Sequence, residues 1–311
     1  MKSRGEKILK RKSKVGRLER NNKNGYLFVL PYGLVFGVFI LIPVILAVIL
    51  SFTNFNAIEW PSWVNFLNYI TLLTRDEVFM QFVLPNTVVY SVVVGIGGFI
   101  LAFLLAYALS NLPKIPRTIC SLIIYSPSMT SGVAMTVIWR VIFSGDQTGI
   151  LNSWLMSLGI INEPIIWLIS EEYLLPIVII IGLWSSMGVG FLSMIAGILN
   201  TNQELYEAAA IDGVKNRFQE VIYITIPSMK PQMYFAAVMS VVNAFQNGAV
   251  STLLTGNPSP GYAAQLIVNH IEDYGFLRYE MGYAAAVSVV LLLLVQLFSK
   301  GADRLFASKD E

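Results

Sequence analysis

The chain has 311 residues, of which 55% are hydrophobic and only 13% charged, with a net charge of +2 and a mean hydropathy of +0.65. Soluble domains carry about 25% charged residues, so the composition excludes an ordinary soluble domain and points to a chain built for lipid. A single cysteine, Cys120, and a single histidine, His270, exclude an intrachain disulfide and a His-rich metal site.

Ten lysines and arginines lie between Lys2 and Lys23, ahead of the first long apolar stretch. Such a tract suits a nucleic-acid partner, but before an apolar run its simpler role is to fix membrane orientation and attract anionic lipid heads. It is not the head of a cleaved signal peptide, because the stretch that follows is too long and lacks a small-residue cleavage site. Residues 1–25 are therefore expected to form a basic cytoplasmic segment, 26–299 a membrane domain with a loop at 201–231, and 300–311 a cytoplasmic tail.

Apolar stretches near or above the roughly 20 residues that a helix needs to cross a bilayer run over Tyr26–Phe52, Pro85–Ser110, Thr118–Trp139, Tyr173–Leu199, Gln232–Leu254 and Met281–Ser299. Their interiors hold no Asp, Glu, Lys, Arg or His. The expectation is an all-α membrane protein with six transmembrane helices. Pro127 and the run Ser126–Ser131 interrupt the third stretch, and Asn243, Gln246 and Asn247 the fifth. Lys114, Arg117, Lys215, Arg217, Lys230, Lys300, Arg304 and Lys309 follow alternate stretches, while Arg75, Arg140 and Arg278 are left for the other side. The excess of positive charge assigns both termini and the 201–231 loop to the cytoplasm. Trp60, Trp63, Trp139, Trp154 and Trp167 fall in or beside the outer loops, as an interfacial aromatic belt requires.

The sequence has no G-x-x-x-x-G-K-[ST] loop, no H-E-x-x-H pair and no G-x-S-x-G elbow, so neither nucleotide binding through a P-loop nor hydrolytic catalysis is expected of it. The spans also lack the ionisable side chains that proton-coupled transport commonly titrates. Uphill transport would then need energy applied from outside, and an exposed cytoplasmic loop is where it could be applied.

That loop reads as a short capped helix. Thr201-Asn202-Gln203-Glu204 fits a capping box with Thr201 as the cap, so the helix should start near Asn202. Leu205, Tyr206, Glu207, Ala208, Ala209, Ala210 and Ile211 favour its continuation, and Gly213, after Asp212, suits the left-handed residue that ends a helix. The three alanines leave a low surface against which another protein can close. Lys215–Glu220 leads into the apolar Val221–Ile226, expected to be a second short helix, and Pro227 and Pro231 mark the return to the membrane. An amphipathic interfacial helix could look similar; the combination of Glu-Ala-Ala, the glycine six residues after Glu207, Ile226-Pro227 and a position before the last two spans is more specific.

This combination resembles the Glu-Ala-Ala loop of the permease subunits of bacterial binding-protein-dependent ABC sugar importers, of the first, maltose-transporter-like permease type. Asn86-Thr87, Trp139-Arg140 with Phe143, Gly149, Asn152 and Leu155, then Leu254–Pro258, Tyr274-Gly275 and Gly282–Ala286 carry the resemblance from about Tyr26 to Phe298. One departure is that thirteen residues, Val214–Ile226, separate Gly213 from Pro227, one more than is usual, and isoleucine stands for leucine. One added residue turns a helix face by about 100°, so contacts beyond Gly213 do not transfer by analogy. The resemblance implies a type I importer permease fold with a cytoplasmic coupling helix. It assigns Glu204, Tyr206, Glu207, Ala208, Ala209, Asp212 and Gly213 to coupling with a separate ATPase. It further implies a second, non-identical permease, two copies of the ATPase, an extracytoplasmic solute-binding protein, a bacterial plasma-membrane location, and no nucleic-acid partner. No cofactor is expected on this chain, ATP and Mg belonging to the partner ATPase, and the chain itself is not expected to be an enzyme.

A saccharide is held by hydrogen bonds to its hydroxyls and by aromatic faces against its C–H surfaces. Amides in lipid must face protein or water, which makes Asn243, Gln246 and Asn247 the leading solute candidates, with Tyr90, Trp184 beside Ser185, and Tyr283 behind them. Polar residues in spans also serve simply to join helices, and the glycines Gly95, Gly97, Gly98, Gly182, Gly188 and Gly190 suit close packing. Arg140 could recognise an acidic sugar or anchor a span end. Another solute, such as a polyol or glycerol phosphate, and a membrane scaffold role remain as alternatives.

Overall fold

The computed structural model describes residues 23–130 and 132–306. Most of the basic N-terminal segment and the end of the tail therefore lie outside the described residues. The chain divides into two compact units, Met1–Ile49 and Leu50–Glu311. The first contributes nearly all of helix α1 (Phe28–Leu50), whose described side chains remain largely exposed, as a helix whose surface is to be covered by lipid or another chain would be.

The second unit begins with a short helix, α2 (Leu67–Thr74). The long α3 (Phe79–Ser110) follows, then the pair α4 (Lys114–Met129) and α5 (Gly132–Ile142), bent by 99°. After α6 (Ile150–Ser157) comes a second pair, α7 (Glu171–Ser185) and α8 (Val189–Asn200), bent by 42°. The polar loop holds α9 (Gln203–Ile211) and α10 (Arg217–Glu220). Then come α11 (Lys230–Gln246), α12 (Ala249–Thr255), α13 (Ile267–Glu272) and α14 (Met281–Phe306). No strand occurs among the described residues.

Among the described residues three helices, α1, α3 and α14, are long and apolar enough to cross a membrane, or five if each bent pair counts as one span. The remaining apolar stretch, Gln232–Leu254, is divided between α11 and α12 at Asn247-Gly248. The apolar stretch Tyr173–Leu199 is likewise not one straight helix but turns at Ser186–Gly188.

Prolines account for three π-helical turns. Gly37–Leu41, Phe79–Val83 and Val221–Thr225 each end two residues before a proline, Pro43, Pro85 and Pro227 respectively. A proline ring clashes with the carbonyl four residues back, which in each case lies inside the widened turn. Each turn closes through the wider pattern, in which the N–H of Ile42, Leu84 and Ile226 reaches the carbonyl of Gly37, Phe79 and Val221. The helix is thus kept continuous through each proline.

Within the second unit α3 is the axis of the bundle and packs on α7, α8 and α11, while α11 also packs on α14. Ala102 and Ala106 of α3, Phe191 and Met194 of α8, and Met233 and Ala236 of α11 share one core cluster. Small residues set the helix spacing, as expected where van der Waals packing drives association. A Cβ on Gly98 would lie 2.6 Å from Ser186 Oγ, one on Gly182 2.5 Å from Tyr90 Oη, and one on Gly190 3.3 Å from Ala236 Cβ. These three glycines are close-packing positions.

Candidate functional site

The polar loop is built by caps that lie within a few residues of the groups they satisfy. Asn202, not Thr201, is the N-cap of α9: its Oδ1 accepts from Glu204 N at 3.1 Å, and its Nδ2 donates to Glu204 Oε2. The Thr201 hydroxyl donates instead to the Gly197 carbonyl of the preceding helix. Thr201 thus belongs to the end of α8, because a hydroxyl four residues beyond a free carbonyl can satisfy it. At the other end Gly213 has φ +95°. Its N–H reaches Ala210 O at 3.4 Å while Val214 N reaches Ala209 O at 3.0 Å, the paired bonds of a Schellman motif. Asn216 then caps α10 by accepting from Gln219 N at 2.8 Å.

Glu204, Glu207, Ala208, Asp212 and Gly213 are exposed, whereas Tyr206 and Ala209 are half-buried. Tyr206 turns back to hydrogen-bond Thr225 at 3.0 Å, which ties α9 to the returning helix. A cavity of about 390 Å³ lies behind α9, between the Tyr107–Asn111 end of α3 and Tyr206, Glu207 and Arg217 of the loop. Ile211 (87% exposed), Phe218 (73%) and Tyr223 (69%) stand out from this otherwise polar loop.

A second cavity, of about 410 Å³, brings Asn243, Gln246 and Asn247 together with Tyr125 and Ser128 of α4, Ser185 and Ser186 at the α7–α8 bend, and Ser240. Asn243 and Gln246 have no hydrogen-bond partner among the described residues, while Asn247 Nδ2 donates to Tyr90 Oη at 3.2 Å. The bend at Ser186–Gly188 and the break at Asn247-Gly248 both open onto this space.

The aromatic candidates lie elsewhere. Tyr90 is fully buried beneath the cavity and holds Asn247. Trp184 packs edge-on against Trp139, with ring centroids 5.2 Å apart. Tyr283 belongs to the far end of α3, opposite the loop, where it donates to the Asp76 carboxylate at 2.6 Å. His270 Nε2, at 3.0 Å, and the Phe79 N–H, at 2.8 Å, complete the Asp76 shell. Burial alone would raise the Asp76 pKa, but the hydrogen bonds from His270, Tyr283 and Phe79 prevail and hold it well below the usual carboxylate range. Burial, with the Asp76 charge, pushes Tyr274 up to about 12. Arg140 donates to Leu253 O at 2.6 Å and faces a different cavity, with Val137 and Thr148.

Sequence reasoning named the run Ser126–Ser131 only as an interruption of a span and did not single out Ser128, Ser186 or Ser240 as solute candidates, because a serine among apolar residues looks like a packing residue. Their signal is spatial, since each lines the same cavity as the amides. Asn86 and Thr87 clamp the segment before α13: Asn86 Nδ2 donates to the carbonyls of Tyr262 and Ala263, and Thr87 Oγ1 accepts from Ile267 N at 2.8 Å.

Residues 96–308 match the family model of the binding-protein-dependent transport system inner membrane component. The chain belongs to that family. It is 33% identical over 274 residues to the arabinooligosaccharides transport system permease protein AraP of Bacillus subtilis, an alignment covering 88% of this chain and 85% of that protein. Against the lactose transport system permease protein LacF of Rhizobium radiobacter it is 31% identical, with 89% and 91% covered. In fold it is similar to a chain in the crystal structure of a bacterial alginate ABC transporter in complex with alginate pentasaccharide-bound periplasmic protein, with TM-score 0.76, 23% identity and coverage of 92% and 94%. This family member is therefore a multi-pass membrane component of an ABC transporter, a transport subunit rather than an enzyme.

Proposed function

We infer that the chain is one permease of an ATP-driven importer, forming half of the passage for a sugar or oligosaccharide delivered by an extracytoplasmic binding protein. In this reading the chain crosses the membrane six times, through α1, α3, the pairs α4–α5 and α7–α8, the broken α11–α12, and α14, and the charge bias of the sequence assigns both termini and the 201–231 loop to the cytoplasm. Helix α9 couples to a separate ATPase that holds ATP and Mg, and a second, non-identical permease completes the passage. ATP binding closes the ATPase pair, α9 is drawn with it, and the bundle moves as a rigid body between inward and outward access.

The observation that carries this reading is the pair of polar sites on one bundle: an exposed, doubly capped helix at one end, and an uncharged, amide-lined cavity farther along the same helices. Exposed Ile211 and Phe218 supply apolar anchors for a protein partner, while unpartnered Asn243 and Gln246 suit a hydroxylated solute. The test is to isolate the tagged chain from native membranes in mild detergent, identify its companions, and assay ATP hydrolysis with saccharides and the recovered binding protein. Co-purification of a second permease and an ATPase, with turnover raised by one saccharide class, is expected. Recovery of the chain with unrelated partners would replace this reading with a scaffold role.

A further inference from the structure

Resting on the assignment of the 410 Å³ cavity as the solute passage, we propose that this chain's half of the passage selects neutral saccharides and rejects uronates and other anionic sugars. The argument is one of donor and acceptor supply. The Ser128, Ser185 and Ser186 hydroxyls donate to the carbonyls of Tyr125, Ile181 and Leu183 at 2.7–2.8 Å, and Ser240 donates to Gly95 O at 2.7 Å. With their protons used on the backbone, these four oxygens present lone pairs to the cavity.

A ring of acceptors suits a solute that brings donors, and a neutral saccharide brings one with every hydroxyl. A carboxylate brings acceptors only. Asn243, Gln246 and the Tyr125 hydroxyl can donate to a carboxylate, but among the described residues no Asp, Glu, Lys, Arg or His lines the cavity to compensate the charge, and a desolvated carboxylate without a cation is costly. Arg140, the cation that could have served an acidic sugar, is engaged by the Leu253 carbonyl beside a separate cavity. The amides complete the pattern, since each offers both a donor and an acceptor to a pair of sugar hydroxyls.

Binding to the membrane complex itself is the decisive readout, because a binding protein imposes its own selectivity on uptake. The assembled complex in lipid nanodiscs, without binding protein, would be dialysed against labelled neutral arabinan and galactan oligosaccharides and against oligogalacturonates of matched length. The expected result is a neutral preference of about tenfold or more, equivalent to about 1.4 kcal/mol, that is lost in the Asn243→Leu/Gln246→Leu double variant. Asn243→Arg, which supplies the missing cation, should move the preference towards oligogalacturonates by a similar factor. Tighter oligogalacturonate binding by the unmodified complex would overturn the neutral assignment and leave the sugar-permease reading standing. Binding of neither class by a complex that hydrolyses ATP would remove the cavity as a saccharide site, and the selectivity proposal with it.

Discussion

The loop at 201–228 and the cavity around Asn243 are both polar interruptions of an apolar chain, yet they are built in opposite ways. Every cap of the loop joins residues at most five apart: Asn202 with Glu204, Val214 with Ala209, Asn216 with Gln219. The cavity exists only because α4, α7, α8 and α11 converge, and its floor is a bond between Asn247 and Tyr90, 157 residues apart. A locally built site can be exposed and carried as a unit towards a partner. One built from distant segments keeps its shape only while the packing between its helices holds, so a substitution that loosens the bundle alters it.

Substitutions at long-range contacts should therefore disturb the whole bundle, and those at local caps only the loop. The largest effect is expected at Asp76, whose partners His270 and Tyr283 lie 194 and 207 residues away. Asp76→Ala leaves buried donors without an acceptor and should cost about 3 kcal/mol, read as a lower unfolding temperature in detergent. Because the folded-state pKa of Asp76 is depressed, its contribution is present above the unfolded value of about 3.9 and declines as pH falls below it. Unfolding measured down the acid range should show that decline in the natural protein and much less of it in Asp76→Asn.

Gly182→Ala comes next. Its Cβ would meet the Tyr90 hydroxyl at 2.5 Å, and overpacking of this kind costs about 1–3 kcal/mol. Thermal unfolding should show the loss, and the Asn247 position should move with Tyr90. A Gly182→Ala variant with unchanged stability would show that the cavity floor is not rigidly specified.

Smaller and more confined effects belong to the loop. Gly213→Val forces a β-branched residue to φ +95°, at a cost of about 1 kcal/mol or more. ATPase co-purification should drop while insertion and unfolding temperature hold. Asn202→Ala should weaken α9 by about 1 kcal/mol, whereas Thr201→Ala should leave α9 nearly unaffected, since its hydroxyl serves Gly197. Equal losses of ATPase binding from both would contradict the assignment of the cap.

The same contrast explains what the sequence made legible. The ends of α9, the left-handed Gly213 and the second short helix depend on neighbours in sequence, so propensity and cap chemistry locate them. Even there the choice between Thr201 and Asn202 turned on a carbonyl that only the end of α8 presents. The three amides were visible because amides are out of place in lipid. The serines facing them, the burial of Tyr90 and the capture of Tyr283 by Asp76 depend on helix packing, which no local pattern encodes. The bend at Ser186–Gly188 was hidden inside an apolar run with no proline at the break.

The most direct test of the division between loop and cavity is a single parallel measurement on the triple variant Asn243→Leu/Gln246→Leu/Asn247→Leu: retention of the ATPase subunit on purification, and saccharide uptake in reconstituted vesicles. Full ATPase retention with uptake reduced at least about tenfold, the factor that loss of about 1.4 kcal/mol of solute stabilisation gives, is the result expected. Unchanged uptake would remove the amides as solute contacts, and loss of the ATPase subunit would show that the two regions are not separate sites.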